Sequence, residues 1–219
     1  MKKIGIYGGA FNPVHYGHLR TAEEVYEKFS LTKVLFIPSG RTPFDKPDLA
    51  KAHHRLEMIN RAVKGNRHFA VSDIETKSRG KSYTIDTVKK LKKLYPDTEL
   101  FFILGIDAFL DLPYWKQPDG LADLLSFIVI SRPGHAFCDL QASSYLKSVS
   151  TTKLKKLDSR RSSDLIIDNP SGRKVILHNV TGLTISASEI RNMIRDGESI
   201  KYLLPDSAKS YIISNTLYT

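Results

Sequence analysis

"GIYGGAFNPVHYGHL", residues 5–19, decides the fold. An apolar run over 3–7, rich in β-formers, ends on the glycine pair Gly8 and Gly9. Pro13 follows, and His15 and His18 then bracket Tyr16 and Gly17. Beyond them Leu19, Ala22, Tyr26 and Phe29 recur at spacings of three or four, which predicts an amphipathic helix over 15–29. The stretch therefore reads as strand, tight turn, helix.

The same alternation continues along the chain. Short apolar runs at 33–37, 68–71, 100–104, 127–131 and 175–178 are bounded by Gly, Pro, Asn, Asp or Ser, as strands usually are. Between them, Ile85, Val88, Leu91 and Leu94 mark a helix over 84–95 that Pro96 stops. Weaker helical patterns cover 52–64 and 119–125, and helix returns from Ser186. Alternating elements imply an α/β fold, a Rossmann-like doubly wound parallel sheet, here with a small C-terminal helical part over 184–219. Ligands of such sheets bind beyond the carboxyl ends of the strands, which directs attention to 8–18, 38–46, 105–115 and 131–134. Residues 135–172 are polar and weakly patterned, and read as a surface excursion of loops and a short helix within one domain spanning 1–219.

Composition bounds the function. The chain has 219 residues, 41% hydrophobic and 26% charged, as in an ordinary globular protein. No apolar run reaches the ~20 residues of a membrane span, and "MKKIGIYGG" is too short in apolar residues for a signal segment. A cytoplasmic protein with no membrane partner is expected. The one cysteine, Cys138, excludes an internal disulfide and a Cys-rich zinc site. The net charge of +10 favours polyanions: nucleic acid, membrane surfaces or small phosphorylated substrates. Its densest runs, 89–93 and 153–161, have helix-like spacing and lack the interleaved aromatics of a nucleic-acid surface, so nucleic acid is not the expected partner.

The opening stretch is neither common glycine fingerprint. Gly5, Gly8 and Gly9 have the wrong spacing for G-x-G-x-x-G, and the P-loop-like Gly80-Lys81-Ser82 has Glu75 where a glycine is needed. Its own logic is different. Glycines without side chains let a phosphate approach the backbone, and Pro13 stiffens the approach to the helix. His15 and His18 fall on one face of the first turn, where helix N–H groups already favour anions. Two imidazoles there can donate to phosphate oxygens. They can also be metal ligands, or a structural pair at a helix start.

"GGAFNPVHYGH", 8–18, resembles the G-G-x-F-x-P-x-H-x-G-H signature of the HxGH nucleotidyltransferase superfamily. "ISASEIR", 185–191, is similar to that superfamily's second motif, and as a bare pattern is also a capping box from Ser186 to Glu189. The stretches at 37–48, 82–87, 102–118 and 127–134 look, in order and spacing, like bacterial nicotinate-nucleotide adenylyltransferases.

That resemblance implies AMP transfer from ATP to nicotinate mononucleotide, giving nicotinate adenine dinucleotide and pyrophosphate in NAD biosynthesis. It assigns His15 and His18 to the ATP phosphates as catalytic residues. Gly8, Gly9 and Phe11 become a backbone cradle, while Ser186, Ser188 and Arg191 hold the triphosphate. Gly105 and Asp107 border ribose and adenine, with Asp107 equally readable as an N-cap for 108–112. Lys46, Thr84 and Trp115 face nicotinate mononucleotide, with Tyr83 and Arg132 as further candidates. Trp115 is also readable as a core residue. Mg2+ would travel on the substrate phosphates rather than in a protein cage. The chain departs from the family pattern at Asp45, which shifts Lys46 by one place, and at Ala10, Asn12 and Ser188. The rival acceptors are nicotinamide mononucleotide, phosphopantetheine, or the acceptor of a cytidylyl transfer.

Overall fold

The computed structural model describes residues 2–41, 48–78 and 80–219. In order they form β1 (Lys2–Gly9), α1 (Tyr16–Lys28), β2 (Lys33–Pro38), α2 (Ala52–Val63), β3 (Phe69–Val71), α3 (Thr84–Leu94), β4 (Thr98–Gly105) and α4 (Ile106–Leu110). There follow α5 (Pro118–Leu124), β5 (Ser126–Ile130), α6 (Thr151–Asp158), β6 (Asp164–Asp168), β7 (Lys174–His178), α7 (Ala187–Arg195) and α8 (Asp206–Ser214). The strands hydrogen-bond in the order β3-β2-β1-β4-β5-β7-β6. β2–β3, β4–β5 and β5–β7 are parallel, and β6–β7 is antiparallel. The expected α/β sheet with C-terminal helices is present, and each of the six expected strands has its counterpart.

Three details differ from the sequence reading. Residues 135–172 hold more than loops and a short helix, because β6 forms there. Its "DLIID" is flanked by two aspartates and has Ile166 52% exposed, as an outermost strand of the sheet permits. The buried face of α1 is Thr21, Ala22 and Val25 rather than Leu19, Tyr26 and Phe29, which are only half-buried. In α3 the stripe ends at Leu91, and Leu94 is 65% exposed at the last helical residue.

The chain divides into two compact units. One comprises β1 as far as Ile6 together with Tyr83–Gly182. Every residue of β5 is buried there, as a strand covered on both faces must be. Phe102, Phe109 and Phe127 meet edge to face beside it. The other comprises Tyr7–Ser82 and Leu183–Thr219. Its core gathers Phe36 with Tyr7, Phe11 and Phe69, ring centroids 5.2–5.7 Å apart. Met58 and Ile59 of α2 are fully buried, and α2 meets α8 through His54 Nδ1 and the Tyr211 hydroxyl at 2.9 Å. Among the described residues, no helix is long and apolar enough to cross a membrane.

Candidate active site

Both sequence motifs lie in the second unit. β1 ends on Gly8 and Gly9, and the Gly9 carbonyl accepts from Ser39 N–H at 2.8 Å, just past β2. Phe11 takes a left-handed φ of 48° and is buried, its ring 5.0 Å from His18 and edge-on to Tyr7. The Asn12–Pro13 peptide bond is cis. Pro13 precedes the helix cap rather than opening the helix, because His15, in extended conformation, is the N-cap and Tyr16 the first helical residue.

The two imidazoles do share one face, with ring centroids 3.8 Å apart. His15 N–H donates to His18 Nδ1 at 3.3 Å. An accepting Nδ1 leaves the neutral ring's proton on Nε2, which makes Nε2 the donor atom of His18. His15 is 7% exposed and His18 half-buried. Gly17 explains itself here: a Cβ at that position would come within 3.0 Å of the His15 ring.

"ISASEIR" forms the capped start of α7. Ser186 is the N-cap, and its Oγ accepts from Glu189 N–H at 3.4 Å. Arg191 Nη2 donates to Ser188 Oγ at 3.3 Å, and Nη1 donates to the Asn12 carbonyl at 2.9 Å. Arg191 Nε is buried without a hydrogen-bond partner among the described residues. The two motifs are thus joined by a hydrogen bond between residues 179 apart in sequence.

Two residues to which the sequence assigns no role, Arg55 and Asn12, organise this region. Arg55 is 1% exposed, yet charged. It donates to the carbonyls of Ala10 (2.8 Å), Ser39 (2.6 Å) and Ala50 (2.9 Å), and to Ser39 Oγ (3.3 Å). Burial lowers its pKa from the usual arginine range, while Tyr218 and Glu75 nearby favour the charge. Its signal in the sequence is its place on the apolar stripe of α2, three residues before Met58 and four before Ile59. Asn12 is the second: Nδ2 donates to the Asp48 carbonyl at 2.8 Å, and Oδ1 accepts from Ala50 N–H at 3.0 Å. Lys46 lies outside the described residues.

The other candidates lie in the first unit. Gly105 caps α4, and a Cβ there would sit 2.5 Å from Asp107 Oδ1 and 3.3 Å from Arg132 Cδ. Asp107 is therefore inside the first turn of α4 and does not cap a helix over 108–112, because the helix begins earlier. Its carboxylate pairs with Arg132 Nη1 at 3.0 Å, both side chains partly exposed. Thr84 opens α3, where a first-turn N–H has no intrahelical acceptor. Tyr83 is the N-cap of α3, with Lys116 Nζ 4.5 Å above its ring, and Lys116 also pairs with Asp86 at 2.9 Å. Trp115 follows a 3-10 turn over Leu112–Tyr114 and is half-buried, meeting Phe102 edge to face at 5.9 Å.

A profile of the cytidylyltransferase-like family matches residues 6–193. A Desulfitobacterium hafniense protein named "probable nicotinate-nucleotide adenylyltransferase" is 39% identical over 99% of this chain and 96% of its own length. One of the same name from Geotalea uraniireducens is 38% identical over 99% of this chain and 98% of its own. The chain belongs to the nicotinate-nucleotide adenylyltransferase family. Family membership covers both motif regions, since the profile begins at Ile6 and ends beyond Arg191. The fold agrees with that of the Plasmodium falciparum nicotinic acid mononucleotide adenylyltransferase solved with NaAD, at a TM-score of 0.73 and 24% identity. That likeness covers 100% of this chain and 98% of the other.

Proposed function

We propose that this chain transfers AMP from ATP to nicotinate mononucleotide, forming nicotinate adenine dinucleotide and pyrophosphate. The observation that carries the reading is the joining of "GGAFNPVHYGH" to "ISASEIR" through Arg191 and Asn12, in a chain homologous along its whole length to enzymes of that name.

The acceptor's phosphate monoester has a second pKa of about 6 and is already ionised at neutral pH, so no general base is needed. One of its oxygens attacks the α-phosphorus of ATP in line. The new P–O bond forms as the bond from the α-phosphorus to the α,β-bridging oxygen breaks, and pyrophosphate leaves with that electron pair. Charge neutralisation and alignment supply the rate. His18 donates from Nε2 to the α-phosphate, since Nδ1 is taken by the His15 N–H. His15, Gly8, Gly9 and the Phe11 backbone line the phosphate path. Ser186, Ser188 and Arg191 hold the remaining phosphates, with Arg191 Nε as an uncommitted donor.

Gly105 and Asp107 serve ribose and adenine. Lys46, Thr84 and Trp115 serve nicotinate mononucleotide, Thr84 by its N–H to the ring carboxylate and Trp115 by its ring face. The donors at the two motifs are imidazole, hydroxyl and guanidinium groups, which suit anions rather than Mg2+. The ion would therefore arrive on the triphosphate and screen its charge there.

Purified protein with ATP, Mg2+ and either pyridine mononucleotide tests the reading. Pyrophosphate release with the nicotinate form, well above that with nicotinamide, is expected. No turnover with either overturns the function, and preference for the amide overturns the acceptor.

A further inference from the structure

Asn12 has one more partner. Oδ1 also accepts from the Tyr218 hydroxyl at 2.8 Å, across 206 residues of sequence. With Asp48, Ala50 and Arg191 already on it, this 7%-exposed residue is bonded through both side-chain polar atoms and its carbonyl. The backbone around it is unusual. Phe11 (φ 48°), Asp48 (φ 61°) and Tyr218 (φ 69°) all adopt left-handed conformations, and each adjoins Asn12 in sequence or shares a hydrogen bond with it. Residues with a Cβ hold such conformations where their surroundings over-determine them, and these cluster at functional sites. Burial raises the Tyr218 phenol well above the usual tyrosine range, against the pull of Arg191 and Arg55, so the hydroxyl keeps its proton and remains the donor.

We propose that Tyr218 is a positioning residue for triphosphate binding: its hydroxyl orients Asn12, and Asn12 in turn fixes the Arg191 guanidinium and the turn that leads to His15. The proposal rests on the reading of these motifs as the ATP site. Without the phenolic donor, Oδ1 keeps only Ala50 N–H, and the amide can rotate against the two bonds that hold the turn. Tyr218 itself touches no substrate in this scheme.

Tyr218→Phe keeps the ring and removes the hydroxyl, so folding is preserved. Titration calorimetry with α,β-methylene-ATP and turnover with both substrates read the result. Expected are an approximately fivefold weaker Kd for the analogue, a matching rise in the KM for ATP, a KM for nicotinate mononucleotide within about twofold, and a Tm within about 2 °C. In an Arg191→Lys background the same change should have little further effect, because both side chains act on one residue, Tyr218 on the Asn12 side-chain oxygen and Arg191 on its main-chain carbonyl. An unchanged analogue Kd, equal weakening of both substrates, or full additivity with Arg191→Lys overturns the proposal. Parent protein that binds no analogue and turns nothing over overturns the ATP reading itself, before any variant is made.

Discussion

The two units hold their candidate residues by different means. Around "GGAFNPVHYGH" the ties are buried and run mostly to main-chain oxygens: Arg55 on Ala10, Ser39 and Ala50, Arg191 on Asn12, and Asn12 on Asp48. Around Thr84, Asp107 and Trp115 they are ion pairs between half-exposed side chains, Asp107–Arg132 and Asp86–Lys116. Buried hydrogen bonds fix a geometry, whereas exposed pairs are worth little and rearrange readily. The region around the two motifs is thus held by buried ties, and the other cluster by exposed ones.

The contrast can be broken at its strongest point first. His18→Ala should lower kcat by about 10²–10³-fold with the circular dichroism spectrum unchanged, as loss of one preorganised donor does. A kcat within threefold of the parent would move the phosphate site elsewhere. Arg55→Met should come next, leaving three carbonyls and a hydroxyl without their donor. We expect a loss of about 3 kcal/mol, read as a Tm lower by roughly 6–12 °C. A drop of only a degree or two would mean that the ties are not what holds the region. Asp86→Asn should do least, within about 0.5 kcal/mol, since it removes only an exposed pair. A penalty as large as that of Arg55→Met would erase the distinction between the units.

Much of this was legible in the sequence because it rested on local pattern. The strands announced themselves by short apolar runs, and the two motifs by spacing. What escaped had physical reasons. β6 is an outer strand whose one-sided burial asks for few apolar residues, so "DLIID" carries a weak signal. The start of α4 was misjudged because Gly105 caps it without a side chain, leaving Asp107 to look like the cap. Arg55 sits where an apolar residue would fit the stripe, and only the carbonyls from two separate loops, Ala10 in one and Ser39 and Ala50 in the other, explain its charge. Asn12 and Tyr218 lie at opposite ends of the chain, and no local rule pairs them.

The Arg55 guanidinium has a second consequence. Its four acceptors are uncharged oxygens, so these bonds engage four of its five N–H groups without themselves cancelling its formal charge. A positive pole is thereby lodged behind the Ala10 carbonyl, in the turn that follows the glycine pair, where counter-ions reach it poorly. Glu75 nearby offsets part of that charge, so what reaches the turn is a weakened positive field that salt screens poorly.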